Sequence, residues 1–236
     1  MLWGKKWTSL QVLCFQTILK QFELEQINVD GYRLGAAYCI QVVKRGGVCI
    51  FVHRNLNYTT TDLGKYCKDQ DIDVCALKLE STSFDACIMA VYRAPRGNFN
   101  LFLNGLDGII RTLYKVDLKL IICGDINIDY LTDSDKKRQL AAVLLTYNLS
   151  AIVQFPTSHS ITAINNIFID TYKFINYTVF PPYIGLSDHD AQLLIIYNVN
   201  LQLQNHHFHI IRNINKYSIE EFKTTKLWNL GQHFWL

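Results

Sequence analysis

Alternating apolar and polar positions predict consecutive β-strands in the first half of the chain. The clearest segments are Val48–Val52, Val74–Glu80 and Ala86–Tyr92. In the second segment, Cys75, Leu77 and Leu79 alternate with Ala76 and Lys78, which is the period of a strand with one buried face. The third segment is apolar at nearly every position, which favours a central strand covered on both faces.

Amphipathic helices follow these strands and alternate with further ones. Asn98 can cap a helix whose apolar residues recur at three- and four-residue spacing up to Leu113, and Asp133 or Ser134 can cap a second helix. Short apolar segments that predict strands are Leu118–Cys123, Ala151–Phe155, Ile164–Ile169 and Ala191–Tyr197. Alternating strands and helices indicate a layered α/β fold.

The domain prediction comes from a change of composition. Residues 1–197 have the pattern of one domain, and half of the 236 residues are hydrophobic, so a sizeable core is expected. Residues 198–236 are rich in asparagine, glutamine and histidine at their start, which is typical of a linker. No apolar run is long enough to span a membrane, so no membrane partner is expected. The pattern defines no oligomeric state.

Charge and cysteine content narrow the functional classes. The chain has 23 basic and 20 acidic residues without a basic run, so charge alone does not identify a nucleic-acid partner. The seven cysteines include no C-x-x-C pair and lie mostly in apolar segments. They predict reduced thiols and an intracellular protein, nuclear or cytoplasmic.

Two short polar motifs follow or precede buried strands. In Gly124-Asp125-Ile126-Asn127 the spacing predicts that the two polar side chains share one face, where a carboxylate can polarise water beside an orienting amide. Ser187-Asp188-His189 lies on a predicted loop before a buried strand, and such a pair can hold a cation and contact a phosphate. Each motif alone is also common in turns.

The order of four motifs resembles the endonuclease/exonuclease/phosphatase superfamily. They are Tyr92-Arg93-Ala94-Pro95, Gly124-Asp125-Ile126-Asn127, Ile164-Asn165-Asn166-Ile167-Phe168 and Ser187-Asp188-His189-Asp190. Residues 46–52, residues 185–192 and the Phe155-Pro156-Thr157 turn are similar to the endonuclease domains of non-LTR retrotransposons. The resemblance implies a two-sheet α/β sandwich without its first strand. Residues 212–228 resemble a connector toward a reverse transcriptase, which is expected to be absent.

The resemblance also implies a site that hydrolyses DNA phosphodiester bonds with Mg²⁺ or Mn²⁺ and no small-molecule cofactor. Asp125 would activate water and contact the metal, Asn127 would orient it, and Tyr92 would contact the phosphate. Asp188 would assist the metal site, and His189 would stabilise the phosphate. Oxygen ligands of this kind suit Mg²⁺.

The chain departs from the family pattern in the expected ligands. No counterpart exists for the asparagine of the family's first strand, and residues 13–19 contain no carboxylate where a metal-binding glutamate is expected. Asn165 stands where the family has an aspartate that orients the histidine. Two hypotheses follow: an impaired metal-dependent endonuclease, and a non-catalytic remnant or nucleic-acid-binding module. A third is a phosphatase that acts on a small phosphorylated substrate.

Overall fold

The computed structural model describes residues 12–17, 20–39, 46–80, 85–182 and 189–197, and the backbone of 234–235. Its strands are β1 (Val12–Gln16), β2 (Tyr32–Tyr38), β3 (Val48–His53), β4 (Asn57–Thr61), β5 (Asp73–Glu80), β6 (Ala86–Tyr92), β7 (Lys119–Asp125), β8 (Leu149–Ala151), β9 (Asn165–Asp170), β10 (Tyr177–Phe180), β11 (Leu193–Ile196) and β12 (Phe234–Trp235). Its α-helices are α1 (Gln21–Glu25), α2 (Phe99–Leu113) and α3 (Asp135–Leu145).

The strands form two main sheets and a separate pair. The first sheet has the order β12-β1-β3-β2, and the second has the order β4-β5-β6-β7-β9-β8. In the second sheet only β6 and β7 run parallel, because α2 forms the crossover between them, and the other neighbours are antiparallel. β10 pairs with β11.

Three apolar cores hold these elements in layers. The first lies between the two sheets and contains residues such as Ile50 and Leu77. The second lies between the six-stranded sheet and the helices α2 and α3 and contains Phe102 and Ile122. The third covers the outer face of the first sheet, where Leu24 of α1 packs. The protein is therefore a two-sheet α/β sandwich with helices outside, as predicted.

The strongest sequence patterns are confirmed. β3, β5, β6 and β9 lie where the alternation or apolarity places them, and α2 begins after Asn98, whose side chain accepts hydrogen bonds from Asn100 and Leu101. Ser134 rather than Asp133 caps α3. The prediction of a strand over Ala151–Phe155 is wrong beyond its first residue, because the strand is Leu149–Ala151.

The ends of the chain bear on the domain prediction. The strand expected to be missing would precede Val12, and residues 1–11 lie outside the described part. The predicted linker over 198–236 is likewise outside it except for Phe234–Trp235, which pair with Phe15 and Cys14 of β1. The boundary after Tyr197 stays a prediction.

All seven cysteines are free thiols, and in the described ranges no helix has the length and apolarity to cross a membrane.

Candidate active site

Four polar side chains lie side by side at one end of the six-stranded sheet. The parallel strands β6 and β7 end at Tyr92 and Asp125, which are cross-strand neighbours. The antiparallel strands β5 and β9 begin at the same end, where Asp73 pairs with Tyr92 and Asn165 pairs with Asp125. Directly paired residues project from the same face of a sheet. We call Asp73, Tyr92, Asp125 and Asn165 the polar row.

The polar row closes the core between the two sheets. The residues two positions further into each strand are Cys75, Ala90, Cys123 and Ile167, and all belong to that core. Since side chains two apart share a face, the polar row also points toward the first sheet. From that sheet β1 ends at Gln16, and the Gln16 side chain forms a hydrogen bond with Tyr92. The site therefore lies where the two sheets meet.

Gly124 allows the two central strands to approach each other. Its φ is +158°, and a Cβ at this position would lie 1.7 Å from the carbonyl oxygen of Val91. No rotamer relieves a clash between a Cβ and a backbone oxygen, so a side chain here would displace β7 from β6. Glycine thus keeps Tyr92 and Asp125 in register.

A turn after β7, rather than the strand itself, joins Asn127 to Asp125. β7 ends at Asp125, and Asn127 has a left-handed φ of 49°. The two residues are therefore brought together by a turn and not by the alternation of a strand. The backbone N–H of Asn127 donates to Asp125 Oδ1 at 2.8 Å, and its side-chain amide also hydrogen-bonds the carboxylate. The two side chains still lie together as an acid and its partner.

Burial tunes the two central groups of the polar row. It raises the pKa of Asp125 to about 7, although the hydrogen bonds from Asn127 and the charge of Arg93 oppose this shift. A carboxylate with such a pKa accepts a proton near neutral pH more readily than an ordinary aspartate. Burial also raises the pKa of Tyr92 to about 12, so its hydroxyl stays neutral and can donate.

Asn165 places the histidine at the outer end of the row. Asn165 is fully buried, and its Nδ2 lies 3.1 Å from Nδ1 of His189. An amide nitrogen only donates, so this contact suits a neutral His189 with its proton on Nε2. A backbone bridge joins His189 to Ser158, and Asp190 N–H donates to the Thr157 carbonyl. His189 therefore sits beside the row.

Asp73 is a member of the row that sequence reasoning missed. It is 1% exposed, and its Oδ2 accepts a hydrogen bond from the Gly47 N–H at 3.0 Å. Burial raises its pKa to about 7. The sequence does contain a signal for it, because Asp73 lies two residues before Cys75 and so shares the face of β5 that the alternation predicts to be buried.

The described residues do not fit a preformed site for a divalent metal ion. Gln16, at the end of β1, offers an amide oxygen where the resemblance implies a glutamate, and this Oε1 has no hydrogen-bond partner in the described part of the chain. No group of three histidine, cysteine or acidic side chains there could hold a metal ion. Asp188 lies outside the described residues. Two buried carboxyl groups with raised pKa values, beside neutral amides, are a poor ligand set for Mg²⁺.

Solved structures of similar fold put these features in context. The endonuclease domain of TRAS1, a telomere-specific non-LTR retrotransposon, is 16% identical with a TM-score of 0.57, covering 70% of this chain and 78% of that one. An AP endonuclease from Archaeoglobus fulgidus is 13% identical with a TM-score of 0.54, covering 80% and 89%. The chain has the endonuclease/exonuclease/phosphatase fold.

A phosphatase shares the fold as well. The mannosyl-6-phosphatase Bt3783 of Bacteroides thetaiotaomicron is 13% identical with a TM-score of 0.51, covering 79% of this chain and 85% of that one. No protein-family model and no curated protein sequence matches the chain. At these identities the likeness establishes the fold, which confirms the resemblance of the motifs at that level.

Proposed function

We propose that this chain is a phosphodiester-hydrolysing domain of the DNA endonuclease type, derived from a non-LTR retrotransposon, and that its catalysis is impaired. The observation that carries the proposal is the placement of Tyr92, Asp125 and Asn165 in register on three adjacent strands, with His189 against Asn165. An endonuclease domain among the structures of similar fold supports the choice of DNA.

The retained side chains can divide the chemistry of hydrolysis. Asp125, with a pKa near 7, can take a proton from an attacking water while Asn127 holds the carboxylate in place. The Nε2–H of His189 and the neutral hydroxyl of Tyr92 are donors that can stabilise charge on the phosphate oxygens. Each of these roles uses a group whose orientation the fold already fixes.

Two neutral amides account for the proposed impairment. Gln16 supplies no charge where the resemblance implies a metal ligand, so we expect weak binding of Mg²⁺ or Mn²⁺ in the absence of DNA. Asn165 presents an NH₂ group to Nδ1 of His189, so it cannot stabilise the charged imidazolium as a carboxylate does. The same two residues favour the second candidate function, a nucleic-acid-binding remnant without catalysis.

A plasmid-nicking assay tests the proposal. Purified protein is incubated with supercoiled DNA in Mg²⁺ and in EDTA, beside an Asp125→Ala variant. We expect slow nicking that requires both the metal and Asp125. Nicking that persists in the variant would indicate a contaminating nuclease, and fast nicking by the natural chain would refute the impairment.

Restoring charge distinguishes an impaired enzyme from a remnant. Gln16→Glu combined with Asn165→Asp should raise the nicking rate by roughly 100-fold or more, the scale of one restored acid–base group. Asn104→Asp, on the exposed face of α2, makes the same kind of change away from the site and should have no effect. A restored variant that folds and binds DNA without nicking it would contradict the endonuclease proposal and leave the binding module.

A further inference from the structure

Arg93 is a buried cation that forms no ion pair with a carboxylate in the described residues. Its side chain is 1% exposed, and no ion pair within 4.0 Å involves it. The guanidinium instead donates to three carbonyl oxygens: Nε to Ile126 at 2.8 Å, Nη2 to Asn127 at 2.9 Å and Nη1 to Gly97 at 3.2 Å. Burying a charge costs free energy, which hydrogen bonds to the guanidinium offset only in part when no ion pair accompanies them.

The backbone of Arg93 binds the same turn. Its N–H donates to the carbonyl of Asp125 at 2.9 Å, and its own carbonyl accepts from Nδ2 of Asn127 at 2.7 Å. Residue 93 therefore contacts each of the three residues that carry the acid and its amide partner. Asn127 is bound from both sides, through its carbonyl and through its side chain.

The aromatic residues of α2 hold the guanidinium in place. Arg93 Cζ lies 5.9 Å from the ring centroids of both Phe99 and Phe102, a distance at which a cation is attracted to an aromatic face. α2 and the core therefore hold the guanidinium of Arg93, and the hydrogen bonds of the guanidinium hold the turn after β7. Lysine has no such planar fork, because its ammonium is a point charge on a flexible stem.

We propose that Arg93 is the positioning residue of the candidate active site, and that it holds the turn from Asp125 to Asn127 in the orientation needed for water activation. The inference rests on the proposed function, because the turn matters only if Asp125 takes part in hydrolysis. Arg93 is too deeply buried to reach the substrate itself, so its effect passes through Asn127 and the carboxylate.

Arg93→Lys is the decisive variant, and Arg111→Lys is its control. Arg111 makes an exposed ion pair with Asp107 on α2. The primary readout is the NMR signal of the Asn127 side-chain amide in the natural chain and in each variant. We expect Arg93→Lys to shift this signal and Arg111→Lys to leave it unchanged. Thermal unfolding curves should show that both variants are folded.

Kinetics give the functional readout. In the natural chain, and in the chain with Gln16→Glu and Asn165→Asp, Arg93→Lys should lower kcat for nicking by roughly 10- to 100-fold, the scale of a displaced catalytic group. KM and DNA affinity should stay unchanged. Loss of affinity and folding in parallel with the rate would overturn the positioning role, as would an unchanged Asn127 signal.

A second variant covers the case in which Arg93→Lys does not fold. Phe99→Leu keeps the guanidinium and removes one of its two aromatic faces, so it should shift the Asn127 signal in the same direction by a smaller amount. An unshifted signal in this variant overturns the proposal. If neither the natural nor the restored chain nicks DNA, the proposed function fails, while the Asn127 signal still decides whether Arg93 positions the turn.

Discussion

Replacing Asp73 with asparagine is expected to stabilise the protein at neutral and alkaline pH. Burial raises the pKa of this carboxyl from its ordinary value of 3.8 to about 7. The folded chain therefore keeps a proton that the unfolded chain releases, and the free energy of unfolding falls as pH rises through this window. One pKa unit corresponds to about 1.4 kcal/mol, so ionisation of Asp73 costs about 4 kcal/mol above pH 7.

The structure indicates that the substitution itself is tolerated. The asparagine oxygen can accept the hydrogen bond from Gly47 as Asp73 Oδ2 does, and Asp73 Oδ1 has no partner to lose in the described residues. Asparagine does not ionise, so the variant lacks this part of the pH dependence. Asp125 also has a raised pKa, but it is present in both proteins and its contribution cancels in the comparison.

Urea unfolding at pH 5 and pH 8 measures the difference. Between these values the natural chain should lose about 2–3 kcal/mol more stability than Asp73→Asn, because most of the ionisation of Asp73 falls in this range. Asp85→Asn is the matched control, since Asp85 is exposed and pairs with Lys78 and such pairs contribute little. Equal pH slopes for the natural chain and Asp73→Asn would refute the argument.

Three further predictions concern the framework. Gly124→Ala should yield insoluble or unfolded protein by circular dichroism, because its Cβ would overlap the carbonyl of Val91; a folded variant would contradict the close packing of β6 and β7. Asn98→Ala should lower the free energy of unfolding by about 1 kcal/mol in urea, since it removes the cap of α2. Deleting residues 230–236 uncovers the edge of β1 that β12 pairs with, so size-exclusion chromatography should show more oligomer.

The elements that the sequence predicted well are those with strong local signals. β6 is buried at every position, and a continuous apolar run of that length has few other interpretations. α2 combines a capping asparagine with buried residues at helical spacing. Both signals act within one element, so they do not depend on knowing which elements are neighbours.

The elements that were missed lack such signals. β4 is a polar edge strand, exposed at most of its positions, and β2 is half-buried along most of its length without clear alternation. The strand expected over Ala151–Phe155 ends early because the side chain of Asn166 takes the place of a strand partner. Its Oδ1 accepts from Val153 N–H, and its Nδ2 donates to the Val153 carbonyl. Propensity cannot reveal such a tertiary contact.

The candidate site shows the same division. The motif at residues 124–127 pointed to Asp125 because it lies at the end of an apolar strand, and the resemblance pointed to Tyr92 and Asn165. The roles of Gln16, Asp73 and Arg93 depend on register between strands and on the packing of one sheet over the other, neither of which is written in local sequence. A motif thus predicts the residues at the centre of a site more readily than those that support it.

The candidate site has an excess of buried acceptors, and two of them belong to amides. Gln16 Oε1, Asp73 Oδ1 and Asn165 Oδ1 are all buried without a partner in the described part of the chain, and each such atom costs about 1–3 kcal/mol unless water or a ligand satisfies it. Glutamine and asparagine have nearly the shape of glutamate and aspartate. Under the proposed function, amides at the two positions where the resemblance implies carboxylates keep the shape of a phosphodiesterase site but carry less charge, and for this reason restoring charge, rather than repacking, is the change expected to recover activity.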